Sequence, residues 1–315
     1  MTSYPSLYRL ASHITDEMEK NMKPRLAGSV GKGGNNSAND VKLAQALLNV
    51  YLRREGKKAL VISGRGDPET VSTIEAFQKG EMKLSKPDGR IAAGGHTFNA
   101  LTAVLDGVLR DNQPLIKPAE GVVTFDSEGN EGGPYHSRIL HVPSETSGLT
   151  LGRGYDMKLK TGTKISADLT KVGVDARTAM LISKAGGKFG NSARQFVIDN
   201  DLLDFLITPL VQKELFMTSY KEEENATKQF CLRKNFKEEY GSCDWDKLDD
   251  NIRQILVDLK FRGDYTVKSA QYIQMHVVNN DLDSFRKAVI NKANWSNVPD
   301  DRFTRRKRFL ENAGK

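Results

Sequence analysis

The chain is 315 residues long, with 38% hydrophobic and 28% charged residues and a net charge of +7. That length has room for two domains of ordinary size, and no apolar run is long enough to span a bilayer. Two cysteines, Cys231 and Cys243, exclude a disulfide scaffold or a four-cysteine zinc site; they read as free thiols, with pairing in an oxidising compartment as the alternative.

In residues 1–26, Leu7, Leu10, Ile14 and Met18 recur at helical spacing and predict an amphipathic helix. No basic region followed by an apolar one precedes them, so no secretory signal is expected. In residues 27–110, "NDVKLAQALLNVYLR" sets Val41, Leu43, Ala44, Leu47, Leu48 and Leu52 largely on one helical face, with Asn39 or Asp40 as N-cap. "GDPETVSTIEAFQKGEM" predicts a second helix capped by Asp67, with Pro68 at its first position. "KPDGRIAAGGHTFNALTAVLDGVL" predicts a Pro-Asp-Gly turn leading into a third helix.

These stretches resemble the peptidoglycan-binding domain carried by many cell-wall hydrolases. Gln45, Phe77, Gln78, Asp88, Gly89 and Thr97 fit its motif, whereas Ala44 stands where leucine is usual and "IAAGGHT" is longer than the usual turn. The resemblance implies that residues 27–110 hold peptidoglycan; a three-helix module that binds nothing is the other reading. Residues 111–121, with two prolines and little periodicity, read as a linker.

From residue 122 to 315 the pattern changes. Turns and short extended runs come first, and after about residue 164 the chain reads as helical, including "DARTAMLISKAG", "NSARQFVIDN", "TPLVQKELFMTSYKEEENATKQF", "WDKLDDNIRQILVDLKFRG" and "DRFTRRKRFLENA". A small mixed lobe feeding a helical lobe is an α+β plan, mostly α, with a small β-hairpin. The hairpin is "SGLTLGRGYDM": Leu149, Thr150 and Leu151 alternate as a strand, and Gly152 and Gly154 permit a tight path that holds Thr150 near Asp156.

Cleaving a glycosidic bond needs a carboxylic acid to protonate the leaving oxygen and a means of holding and activating water. The mixed segment offers Asp126, Glu128, Glu131, Glu145 and Asp156. Spacing alone makes this a constellation and no more. "FDSEGN", "YHSRILHVP" and "SGLTLGRGYDM", with "LVDLKFRGDYT" and "DDRFTRRKRFLEN" downstream, resemble the pesticin-like branch of the phage-lysozyme-fold muramidases. The resemblance implies that Glu128 is the general acid, with Glu131 as the alternative, that Thr150 positions water and that Asp156 helps to activate it. It implies no metal or organic cofactor. Phage lysozymes place the acid at the end of a helix, whereas "GVVTFDSE" reads as extended.

Arg153 and Tyr155 flank Gly152 and Gly154, and all four are candidate saccharide contacts; Arg153 pairing with a nearby carboxylate is the equal alternative. His136, His141 and Glu145 invite a zinc peptidase, but no His-Glu-x-x-His is present, and loop histidines with ordinary hydrogen bonds are favoured. "FRGDY" reads as a helix C-terminus with Gly263 near the cap. "RFTRRKRF" reads as the solvated face of a terminal helix with Phe303 and Phe309 turned inward. Trp245 and Trp295 read as packing residues. No zinc-finger spacing or RNA-binding motif accompanies the basic charge, so no nucleic-acid partner is expected.

The expectation is a monomeric muramidase whose partner is peptidoglycan, acting in the wall of a target bacterium after delivery without a signal peptide. Its origin is either a contact-delivered antibacterial effector, with a secretion apparatus and an immunity protein as further partners, or a phage lysis enzyme. A zinc amidase and a non-catalytic wall-binding protein are the competing readings.

Overall fold

The computed structural model describes residues 24–110, 112–131 and 137–313. The helix expected within residues 1–26 lies almost wholly outside the described residues. The order is β1 (Val30–Gly31), α1 (Ala38–Arg54), α2 (Pro68–Gly80), β2 (Arg90–Ile91), α3 (His96–Leu109) and α4 (Val122–Ser127). Then come β3 (Thr150–Leu151), β4 (Tyr155–Asp156), α5 (Gly162–Lys171), α6 (Ala176–Ser183), α7 (Gly190–Asp199) and α8 (Pro209–Cys231). α9 (Lys234–Tyr240), α10 (Asp250–Arg262), α11 (Val267–Val278), α12 (Leu282–Val289) and α13 (Asp300–Asn312) complete it. The fold is α+β and mostly α, with two-stranded antiparallel pairs β1–β2 and β3–β4. No helix among the described residues is long and apolar enough to cross a membrane.

Contacts divide the chain into two compact units that cut across the order of the sequence. A hairpin unit takes described residues up to 115 and from 130 to 212; a helical unit takes 116–129 and 213–313.

In the hairpin unit, α1 to α3 close on Val41, Leu47, Leu48, Ile74, Phe77 and Leu101, all fully buried or nearly so, with Tyr51 edge-on to Phe77 at 5.0 Å. Asp67 caps α2 by accepting from the Thr70 amide at 2.8 Å, and Pro68 takes the first turn, as the sequence predicts. The cap of α1 differs. Ser37 caps it, because Asp40 spends its carboxylate on the amides of Ala27 (2.8 Å) and Gly28 (2.9 Å) and on the Ser37 hydroxyl.

Two glutamines tie this segment together. Buried Gln45 accepts from the Gly64 amide (3.0 Å) and donates to Thr70 Oγ1 (3.0 Å) and the Arg65 carbonyl (3.2 Å). Gln78 accepts from the amides of Asp88 and Gly89 (both 3.0 Å) and donates to the Arg90 carbonyl and Thr97 Oγ1 (both 3.1 Å). The segment does not stand apart within its unit. Ile198 and Leu203 pack against its core, Arg53 pairs with Asp204 at 2.8 Å and Lys42 with Asp199 at 2.9 Å.

The helical unit closes on Ile252, Leu256, Leu259, Ile273, Phe285 and Leu310, with Trp245 and Trp295 buried in packing roles. α10 ends at Gly263, whose φ of 86° is the left-handed cap expected of "FRGDY". α13 departs from expectation. Arg302 and Arg306 point inward, 7% and 1% exposed, while Phe303 and Phe309, half-buried, pack against the core as expected. The basic run is thus not one solvated face, because Asp258 on α10 lies buried beneath it and needs cations.

Candidate active site

Glu128 sits at the C-terminal end of α4, in the helical unit. The extended reading of "GVVTFDSE" is corrected here: residues 122–127 are helical despite their β-branched content. Tertiary packing overrides propensity. Gly121 opens the helix at φ 72°, its amide donates to Gln254 Oε1 at 2.8 Å, and an added Cβ would lie 2.5 Å from the Tyr220 ring. Val123 and Phe125 are buried, and Phe125 meets Phe216 edge-on at 5.1 Å. Glu128 therefore stands at a helix end.

The Glu128 side chain is 21% exposed, and Arg302 Nη1 donates to its Oε1 at 2.6 Å. Burial raises its pKa above the ordinary glutamate value; Arg302 opposes that rise and Asp258 adds to it. Arg302 is shared, donating through Nη2 to Asp258 Oδ1 at 2.7 Å, and Arg306 donates to Asp258 Oδ2 at 2.5 Å and to Asp264 Oδ2 at 2.8 Å. Asp258 is fully buried, which would raise its pKa, but Arg306 and Arg302 outweigh burial and keep it low and ionised. The network thus sets a carboxyl with a raised pKa beside one whose pKa is lowered.

Sequence reasoning missed Arg302 and Asp258. The signal was present: Asp258 falls on the apolar face of α10 with Ile255 and Leu259, and Arg302 and Arg306 are spaced i, i+4 on α13.

Glu131 belongs to the hairpin unit and has the opposite character. It accepts from Gln212 (2.7 Å), Arg153 (3.1 Å) and Arg138 (3.1 Å). Burial pushes its pKa up, yet those three donors prevail and lower it. A carboxylate held ionised is in the wrong state to protonate a leaving group.

β3 and β4 form the hairpin the sequence predicts, with Thr150 opposite Asp156 and Leu151 opposite Tyr155. Gly152 (φ 62°) and Gly154 (φ 84°) both turn left-handed in the three-residue connection. Asp156 Oδ2 accepts from the Gly148 amide (3.1 Å) and Oδ1 from the Lys158 amide (2.7 Å). Thr150 Oγ1 donates to the Gly148 carbonyl at 3.2 Å, which commits its proton and leaves lone pairs to receive one. His141 bonds through its backbone to Thr150 on both sides (2.8 and 3.0 Å), so Thr150 lies between His141 and Asp156.

The His141 ring is turned to the Ile139 carbonyl, its Nδ1 at 2.9 Å; burial lowers its pKa and keeps it neutral. His136 lies outside the described residues. Among the described residues no group of three histidine, cysteine, aspartate or glutamate side chains is placed to hold a metal ion.

Arg153 (3% exposed) takes the second of its two readings, pairing with Glu131. Tyr155 is fully buried and donates to Asp168 Oδ2 at 2.8 Å, so in this conformation its ring is not offered to a saccharide. Gly152 is buried and serves the turn. Asp126 is tied to Lys117 (2.7 Å) and Glu145 to Arg194 (2.8 Å). Phe189, bridged through its backbone to Gly148 and half exposed, is an aromatic face beside the hairpin that sequence reasoning passed over. A cavity of about 340 Å³ in the same unit takes Leu43, His141, Arg194 and Leu203 into its wall, but neither Thr150 nor Asp156.

No curated protein matches the chain. Residues 121–307 match the model of a family described as a domain of unknown function. With more than half of its residues inside that match, the chain belongs to the DUF8812 family.

Proposed function

We propose that the protein is a peptidoglycan hydrolase, a muramidase cutting the β-1,4 bond between N-acetylmuramic acid and N-acetylglucosamine. The observation that carries the reading is Glu128: a carboxyl at a helix end, partly open to solvent, whose burial strengthens its hold on a proton. Glu128 gives its proton to the leaving glycosidic oxygen. Thr150 accepts a hydrogen bond from the attacking water through its uncommitted lone pairs, and Asp156 takes the proton that the water releases. Phe189 offers an apolar face on which a sugar ring can stack. The three-helix segment of residues 27–110 holds the same polymer and raises the local concentration of cleavable strands.

The role in nature that fits this reading is an antibacterial effector carried into a target cell, as the pesticin-like resemblance suggests; a phage lysis enzyme would have the same chemistry.

The test is mass spectrometry of the soluble products released from purified sacculi by the wild type, Glu128→Gln and Thr150→Ala. Muropeptides with new reducing muramic-acid ends, released by the wild type and lost in both variants, are expected. Free stem peptides whose release stops on chelation would replace the muramidase with a zinc amidase. Sacculus binding without release of fragments would leave a wall-binding protein.

A further inference from the structure

The helical unit brings the two cysteines of the chain together. Cys231 ends α8 and is 2% exposed, whereas Cys243 lies three residues beyond α9 and is partly open to solvent. Cys243 packs against the core cluster that contains Cys231, and each thiol is the first influence on the other's ionisation. Gln274 Nε2 donates to Cys231 Sγ at 3.4 Å and is itself steadied by the Tyr265 hydroxyl, which donates to Gln274 Oε1. Arg233 stacks on Phe230 and Phe236 nearby, 4.0 and 3.9 Å from their ring centres.

This surrounding favours one negative charge on the sulfur pair. The Cys243 thiol, helped by Gln274 and Tyr265, outweighs burial and brings Cys231 down to about 6, while Cys243 is held up in turn. The pair therefore carries one negative charge more readily than two, and Cys243, the more open sulfur, is the one that an oxidant reaches. A disulfide needs its sulfurs to close to about 2.05 Å. Residues 241–244, which carry Cys243, have no helical or strand pairing and begin at Gly241 with φ 99°, so this connection is free to supply the movement.

We propose that Cys231 and Cys243 form an intramolecular disulfide by exchange with a disulfide-bearing oxidant, a protein or a small thiol's disulfide, outside a reducing milieu. The Cys243 sulfur attacks one sulfur of the oxidant and expels the other, which takes up the Cys243 proton, leaving a mixed disulfide. The Cys231 thiolate then attacks Cys243 Sγ and expels the oxidant's second sulfur. Two protein thiols lose two electrons and two protons, and the oxidant's disulfide becomes two thiols. The new bond ties the end of α8 to the connection after α9. It encloses α9, with buried Phe236, in a short loop and so disfavours the opening of that region. The inference is independent of any reading of the catalytic chemistry.

The experiment equilibrates the reduced full-length chain in buffers of increasing glutathione disulfide to glutathione ratio, traps free thiols with iodoacetamide and measures intact mass and thermal melting. Joint loss of both thiols is expected, with a mass lower by two hydrogens, no retained glutathione and a melting temperature raised by several degrees. The Cys243→Ser variant should melt at the same temperature in every buffer. A stable glutathione adduct on Cys243, a disulfide-linked dimer, or two thiols still trappable in fully oxidised glutathione would overturn the proposal. An internal disulfide with unchanged melting would overturn the stapling of α9.

Discussion

Glu128 and Glu131 are the same residue type three positions apart, and their surroundings drive them in opposite directions. Burial raises the pKa of Glu128 against the pull of Arg302, so the folded state binds its proton more tightly than the unfolded chain does. Its contribution to stability is therefore full below the ordinary glutamate value of 4.5 and is lost as pH rises through the folded value. Glu128→Gln escapes that loss. Relative to wild type it should gain stability from acid to neutral pH in denaturant melts, while its lytic rate falls by roughly 10²–10⁴. A stability difference that stays flat across that window would make Glu128 an ordinary surface carboxylate.

Glu131 has a lowered pKa, so its contribution is present above 4.5 and is lost as pH falls through the folded value. Glu131→Gln takes one carboxylate away from Arg138 and Arg153, 1% and 3% exposed, and an equilibrium unfolding curve at neutral pH should show a loss of about 1–3 kcal/mol. Both glutamates were visible as candidates in the sequence. Their protonation states were not, because the deciding partners come from distant positions: Arg302 for one, Gln212 for the other.

At the scale of elements, legibility followed length and caps. α2, with Asp67 and Pro68 at its start, and α10, with Gly263 at its end, announce themselves locally. α4 does not: it is six residues long, its start is an uncapped glycine, and its stability comes from Phe216, Tyr220 and Gln254. Gly121→Ala forces a side chain into the Tyr220 ring from a left-handed backbone. It should cost about 1–3 kcal/mol for the strain alone and lower lytic activity out of proportion, since the same turn aims Glu128. Circular dichroism melts alongside a turbidity assay on sacculi would separate the two effects.

α13 shows a second kind of illegibility, in which a charge run hides a buried network. Asp258→Asn would leave Arg302 and Arg306 without the carboxylate they share, and an equilibrium unfolding curve should show a loss of about 3–5 kcal/mol. A change within experimental error would mean that water already satisfies those guanidiniums.

For the molecule as a whole, two of the cations in the net charge of +7 are Arg302 and Arg306, buried and matched by Asp258, Asp264 and Glu128. Attraction to an anionic polymer, as the proposed function requires, would therefore rest on the remaining lysines and arginines. Binding to sacculi, measured by co-sedimentation, should weaken as salt rises from about 50 to 300 mM, since exposed charges are screened over about 10 Å or less at such ionic strengths. Binding that is indifferent to salt would assign recognition to neutral contacts.

Gln45 and Gln78, by contrast, take no part in that surface. Both ends of each amide are consumed inside the fold, holding the turns that follow α1 and α2. A relative with any other ligand, or with none, would still be obliged to keep them. Such positions record how a backbone is folded and are silent about what it grips. Any preference for a ligand would be written among exposed neighbours that are free to drift, and a survey of relatives should find these two amides constant while the outward-facing residues of α2 and α3 diverge.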